Sequence, residues 1–242
     1  MSANKPEEHP SGRRRFLQKS LSLIPLAAAA STGVVSLTSP AAEKTQGVVQ
    51  DYVPAYFNDK EWKFLLAALE RLIPSDANGP GAVSEGVPVY IDKQMELPYG
   101  YGRLWYMQAP FAEAAPEMGY QSHLVPRDTY RVGIKLTDDY CQQKFQKDFY
   151  QLDASQQEAV LRDLEADHIR NEAIHGKLFF EQLLENAKEG YLADPIHGGN
   201  QTLASWKLIG FPGARADFID TVQQPNKPYP LGPVSISSKR SV

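Results

Sequence analysis

The chain has a single cysteine, Cys141. That excludes an internal disulfide, a cysteine-based zinc site and an iron–sulfur cluster held by this chain alone. It also lacks a long basic run, and 25 Lys and Arg against 29 Asp and Glu give a formal net charge of -4. Without a basic footprint, nucleic acid is set aside as a partner. No GxSxG, HExxH, haem Cys-x-x-Cys-His or dinucleotide glycine fingerprint is present. The common routes to nucleophilic, zinc-hydrolytic and nucleotide chemistry are therefore missing. Eighteen prolines argue against a simple coiled coil.

A strongly apolar membrane span is lacking too, but a weaker apolar stretch stands where a leader belongs. Arg13-Arg14, followed by Arg15, Phe16 and Leu17, resembles a twin-arginine export motif, and Ser20 to Ala42 carries no charge. Pro25, Gly33 and the many Ser and Thr make this stretch poor as a permanent span, which wants ~20 apolar residues. It suits an export segment ending in small residues near Ser39 to Ala42. The expected partition is a signal peptide at 1–42, an extended lead-in at 43–57, a single helical domain at 58–223 and a proline-rich tail at 224–242. Export of a folded chain that has no cofactor motif of its own implies that it escorts a partner that carries one.

The mature chain reads as mainly α. Asn58 with Glu61 forms a capping box before Trp62, Leu65, Leu66, Leu69, Leu72 and Ile73, which recur at helical spacing until Pro74. Asn78-Gly79-Pro80-Gly81 reads as a turn rather than a phosphate cradle, since no Lys-Ser or Lys-Thr follows. A second helix is expected at about Ser84 to Glu96, with Pro88 in its first turn. A third begins at Pro126 and runs to about Lys147. Cys141, near the edge of its apolar stripe, is either a small buried side chain or one half of a disulfide to another subunit. Asp153 with Gln156 caps a fourth helix, and a fifth covers Gly176 to Glu189, ended by Gly190. A short helical segment is expected at Arg215 to Gln223, before an extended arm.

Two stretches are irregular and apolar: Leu97 to Leu124, with Tyr99, Tyr101, Trp105, Tyr106 and Phe111, and Gly190 to Gly213, with Tyr191, Trp206 and Phe211. Neither Asp, Glu, Lys nor Arg occurs between Pro195 and Trp206, so this second stretch packs on something. Between helices four and five lie two Glu-x-x-His units, Glu165/His168 and Glu172/His175. In di-iron bundles such units come from different helices. On one straight helix Glu165 and His175 would stand ~15 Å apart, so a solvated helix junction is the better reading. His197 in the glycine-rich loop reads as a structural hydrogen-bonding group.

Several segments together carry a resemblance. They are Leu72-Ile73-Pro74-x-Asp76, Gly79-Pro80-Gly81-Ala82, Val89-Tyr90-Ile91-Asp92, Asp194-Pro195-Ile196-His197-Gly198-Gly199-Asn200, Trp206-Lys207 and Ile209-Gly210-Phe211-Pro212-Gly213-Ala214. As a set they resemble the gluconate 2-dehydrogenase subunit 3 family. Asn226 to Val234 is also similar to members assigned to gluconate dehydrogenase itself. The resemblance implies a small helical subunit, without catalytic side chains or cofactor, of a three-part dehydrogenase at the periplasmic face of the bacterial inner membrane. A large FAD-containing subunit would oxidise gluconate to 2-dehydrogluconate, and a multihaem cytochrome c would pass electrons on and supply the membrane attachment. The small subunit would bring the signal read by the twin-arginine translocase and assist folding and export of the flavoprotein. Expected interface residues are Trp105, Tyr106, Tyr191, Asp194, His197, Trp206 and Phe211, with Cys141 as a disulfide candidate. The alternatives are the small subunit of a related glucose, fructose or sorbitol dehydrogenase, or a self-contained periplasmic metal-binding helical protein.

Overall fold

The first helix starts where its capping box places it. The Asn58 side chain accepts from the backbone N–H of Lys60 and Glu61, the Glu61 carboxylate accepts from Asn58 N–H, and α1 runs Asp59–Leu72. The computed structural model describes residues 49–112, 115–219, 221–224, 227 and 229–237, all within one compact unit, Thr38–Val242. The twin-arginine residues Arg13, Arg14, Phe16 and Leu17 lie outside the described residues.

After α1, Asp76 and Gly79 exchange backbone hydrogen bonds in a tight turn. Next come α2 (Val87–Glu96), α3 (Pro126–Phe145), α4 (Ala154–Glu165), α5 (Gly176–Leu192) and α6 (Ala204–Ile209). Short 3-10 turns at Pro116–Met118, Phe149–Gln151 and Pro195–His197 complete the regular structure, with no strand among the described residues. The second helix starts three residues later than its apolar pattern suggests, because Ser84 to Gly86 form a turn and Gly86 adopts a left-handed φ of 76°. Pro88 falls in the first turn of α2, where a missing N–H costs nothing.

Helix α5 is the hub. It packs on α2, α3 and α4 and also meets α1 and α6. Its Phe179 sits 5.9 Å, centroid to centroid, from both Phe64 of α1 and Tyr130 of α3, and Phe64 continues to Phe149 at 4.7 Å. All four rings are fully buried. Gly190 does not end α5. A Cβ there would stand 2.7 Å from the Tyr90 ring, and one at Gly199 only 2.0 Å from the Gly190 carbonyl oxygen. These glycines permit the close approach of α2, α5 and the following loop, and the helix runs two residues past Gly190.

The described residues of both termini are tied to the rest of the chain. The described part of the lead-in is fastened down: buried Asp92 of α2 accepts from Tyr52 Oη (2.8 Å), Ala55 N (2.8 Å), Tyr56 N (3.0 Å) and Phe57 N (3.1 Å). Arg127 stacks between the rings of Tyr56 and Tyr101, at 4.7 and 4.2 Å. The tail is likewise paired with its own chain, since Ala214 N donates to Val234 O at 2.7 Å and Val234 N to Pro212 O at 3.3 Å. In place of a helix at 215–223, the described residues form turns stabilised by Thr221 N–H and Val222 N–H donating to Phe218 O.

Candidate functional site

The segment from Leu192 to Ile236 turns the usual distribution of side chains around. Several of its polar groups point inward and hold the backbone. Glu85, fully buried in the turn before α2, accepts from Thr202 N (2.9 Å) and Thr202 Oγ1, and its own carbonyl accepts from Gln201 N (3.2 Å). Buried Asn200 donates to Ala193 O (3.0 Å) and accepts from Ser205 Oγ (2.8 Å). Asp194 caps the 3-10 turn through Ile196 N (3.0 Å), and its other oxygen accepts from Ile236 N (2.8 Å), tying the tail to the loop. Leu203 is fully buried at φ 59°, a backbone conformation costly for a leucine, of order 1 kcal/mol, that this network holds in place.

With its backbone fixed in this way, the segment exposes Leu192, Ile196, Leu208, Ile209, Phe211, Phe218, Ile219, Val222, Leu231 and Ile236. Monomer surfaces rarely hold so dense a set of apolar side chains without a use. A second, smaller group protrudes from the irregular stretch after α2. There Trp105 is clamped between Tyr99 (5.5 Å) and Tyr120 (4.7 Å), while its neighbours Leu104 and Tyr106 are 69% and 83% exposed.

Where α5 runs into the loop there is an open cleft of about 450 Å³ lined by Tyr90, Gln94, Glu189, Leu192, Ala193 and His197. A buried hydrogen-bond chain leads to it. Tyr130 Oη donates to Asn186 Oδ1 (3.0 Å), and Asn186 Nδ2 donates to both Tyr99 Oη (2.8 Å) and Glu189 Oε2 (3.0 Å). Burial, then the negative charge of Glu189, pushes the Tyr90 phenol up to about 12.

The residues singled out in the sequence divide between surface and interior. Tyr106, His197 and Phe211 are exposed, and Tyr191 and Asp194 are half-buried, Tyr191 donating to Pro80 O at 2.8 Å. Trp206 belongs to the core: it is 5% exposed, donates from Nε1 to Leu192 O at 2.7 Å, and carries the edge of Phe211 at 4.9 Å. Trp105 is half-buried, seated between Tyr99 and Tyr120. Cys141 has no solvent exposure, and burial followed by the charges of Asp138 and Asp148 raises its thiol to about 12. In this fold the sulfur is out of reach of a partner's cysteine, which corrects the intersubunit disulfide expectation.

The Glu-x-x-His segment is not one helix. Helix α4 stops at Glu165, Ile169 and Ile174 plug the interior, and Arg170 pairs with His175 across a tight loop. The imidazoles turn to other carboxylates, His168 Nδ1 to Asp163 (3.4 Å) and His175 Nδ1 to Asp167 (2.8 Å). Among the described residues no three His, Cys, Asp or Glu side chains gather as a metal site. The helix junction is solvated and charged, as expected.

The model of one known protein family, described as gluconate 2-dehydrogenase subunit 3, matches residues 59–213. The chain belongs to the gluconate 2-dehydrogenase subunit 3 family. The match begins at the first residue of α1 and ends at the glycine that pairs with Val234, so it takes in the helices, the Asp194–Asn200 turn and Trp206. Neither a curated protein nor a solved structure matches the chain. Membership makes the chain a subunit of an oxidoreductase, and such a subunit implies other subunits to meet. No helix among the described residues is long and apolar enough to cross a membrane.

Sequence reasoning missed Glu85, Asp92 and Glu189, because a charged residue near a helix reads as surface. The signal that could have found Glu85 is its setting, as the single charged residue in the otherwise apolar or neutral run from Gly79 to Ile91.

Proposed function

We propose that this chain is the non-catalytic small subunit of a heterotrimeric, membrane-bound gluconate 2-dehydrogenase. In this reading it carries the twin-arginine export signal and assists folding and export of the FAD-containing subunit that converts D-gluconate to 2-dehydro-D-gluconate. The third subunit is a multihaem cytochrome c that takes the electrons and attaches the assembly to the periplasmic face of the inner membrane. The observation that carries the reading is the rigidly supported apolar surface of residues 192–236 in a chain of the subunit 3 family. Hydrogen bonds fix its backbone, so little ordering entropy opposes docking. A hydrophobic centre with a polar rim suits a lasting protein contact.

Tyr106, His197 and Phe211 are the interface residues of this proposal, with Leu208 and Ile209 beside them; Tyr191 and Asp194 shape the loop. Trp206 acts through Phe211, which it holds in place, and Trp105 acts through Tyr106. The test is to express the flavoprotein with and without this chain in the native host. The expected result without it is flavoprotein that is inactive and retained in the cytoplasm. Active, exported flavoprotein in that strain would overturn the escort role. Oxidation of glucose, fructose or sorbitol in place of gluconate by the purified complex would reassign the substrate and leave the subunit's role unchanged.

A further inference from the structure

Lys, Arg or His is favoured in the last turn of a helix, where unpaired carbonyls concentrate negative charge. Helix α5 has no basic residue there. It carries Glu189 instead, in the last turn, exposed to the open cleft beside Tyr90, Leu192, Ala193 and His197. Four residues earlier, Glu185 is paired with Lys188 at 2.6 Å, but Glu189 forms no ion pair among the described residues. Lys93 of α2 reaches the edge of the cleft beside Gly198 but makes no ion pair with Glu189 among the described residues. The carboxylate is nonetheless positioned with care. Asn186 and Tyr130, both with no solvent exposure, orient it through the hydrogen-bond chain from the core. An oriented carboxylate, a helix C-terminus and an aromatic side chain converge on one cleft whose lining holds no lysine or arginine.

We propose that this cleft receives a lysine or arginine side chain of the dehydrogenase partner, its charge set against Glu189 and the C-terminal end of α5. The proposal rests on the assembly reading above, and it names the polar anchor that fixes orientation beside the apolar surface. Leu192 and Ala193 exclude water from one side of the pair, and Tyr90 offers a ring to the stem of the basic side chain.

The first test needs no partner. The chain is titrated with L-argininamide while the NMR signals of His197 and Tyr90 are followed. Saturable shifts are expected, with Glu189→Gln binding about tenfold more weakly. Unshifted signals in the native chain, or equal affinity in the variant, overturn the proposal whatever the complex does. The second test uses the purified complex. Glu189→Gln is expected to release the flavoprotein at lower salt than the native chain, whereas Glu181→Gln, on the exposed face of the same helix, does not. A native salt dependence for Glu189→Gln would overturn the proposal even if argininamide binds. If argininamide binds at Glu189 but no flavoprotein associates with the native chain, the assembly reading fails and the cation site stands.

Discussion

Helices α1 to α4 and the segment 192–236 solve the same problem in opposite ways. The helices bury phenylalanine and leucine and leave no large hydrophobic side chain exposed, while the C-terminal segment buries Glu85, Asn200 and Ser205 against itself and exposes isoleucine, leucine and phenylalanine. Hydrophobic burial sets the shape of the first region, and a hydrogen-bond network sets the shape of the second. A surface held by hydrogen bonds is free to offer its apolar side chains to another protein. The predictions below probe that division from the largest expected effect to the smallest.

Phe179→Ala strikes the helical region at its hub. Two rings, Phe64 and Tyr130, lose their shared partner, and truncation of a fully buried phenylalanine costs about 3–5 kcal/mol. Chemical denaturation should show a single lowered transition with the C-terminal segment lost alongside. Survival of native packing in 192–236 after the helices unfold would break the idea that the segment depends on them. Glu85→Ala strikes the seam instead. It leaves Thr202 N and Oγ1 without their acceptor, at about 3 kcal/mol for a charged, buried set. Hydrogen exchange should quicken in residues 199–206 and stay slow in α5; uniform quickening would show that the two regions are not separable.

How far the sequence could reveal this division depends on the range of the forces involved. The capping boxes at Asn58/Glu61 and Asp153/Gln156 are local and were readable, as was Pro126 at the start of α3. Helix ends were less so, since Gly190 answers to the approach of Tyr90 from another helix and not to its own neighbours. The pairings across the seam were not legible: Glu85 meets a partner 117 residues away, and Tyr52 reaches Asp92 across 40. Periodicity places charged residues outside and has no access to such pairs. The density of aromatics singled out the exposed Phe211 and Tyr106, but composition could not separate from them the buried Trp206, whose indole N–H satisfies a carbonyl at the end of α5.

Ile209→Asp distinguishes folding from assembly. The side chain is 60% exposed, so the unfolding free energy should stay within about 0.5 kcal/mol of the native chain. Association with the flavoprotein should weaken by about 2 kcal/mol, the transfer value of a buried isoleucine. A large loss of stability would place Ile209 in the chain's own core and shrink the docking surface. The buried thiol offers a companion readout for the helices. Cys141 should resist an aromatic disulfide reagent in the native state and react at the rate of global unfolding, and labelling within minutes under native conditions would mark α3 as loosely packed.

The smallest effect concerns the charged loop between α4 and α5, where neither hydrophobic burial nor a buried network dominates. Asp167 accepts from His175 Nδ1 at 2.8 Å and from Lys177 N at 3.3 Å, and Arg170 lies 3.5 Å away. Although partial burial opposes it, these partners hold the carboxyl below the ordinary range. A depressed folded value means that the stabilisation is fully present above the unfolded carboxylate pKa of about 3.9 and is lost as pH falls through the folded value. Asp167→Asn keeps the left-handed backbone, φ 59°, which asparagine tolerates well, and removes only the charge. The variant should lose about 0.5 kcal/mol at pH 7, as exposed pairs do, and its stability should fall less steeply between about pH 4 and pH 2. An unchanged acid slope would mean that the loop's ion pairs add nothing to the fold. The division between a region held by burial and a region held by hydrogen bonds would then account for the stability of the described chain without them.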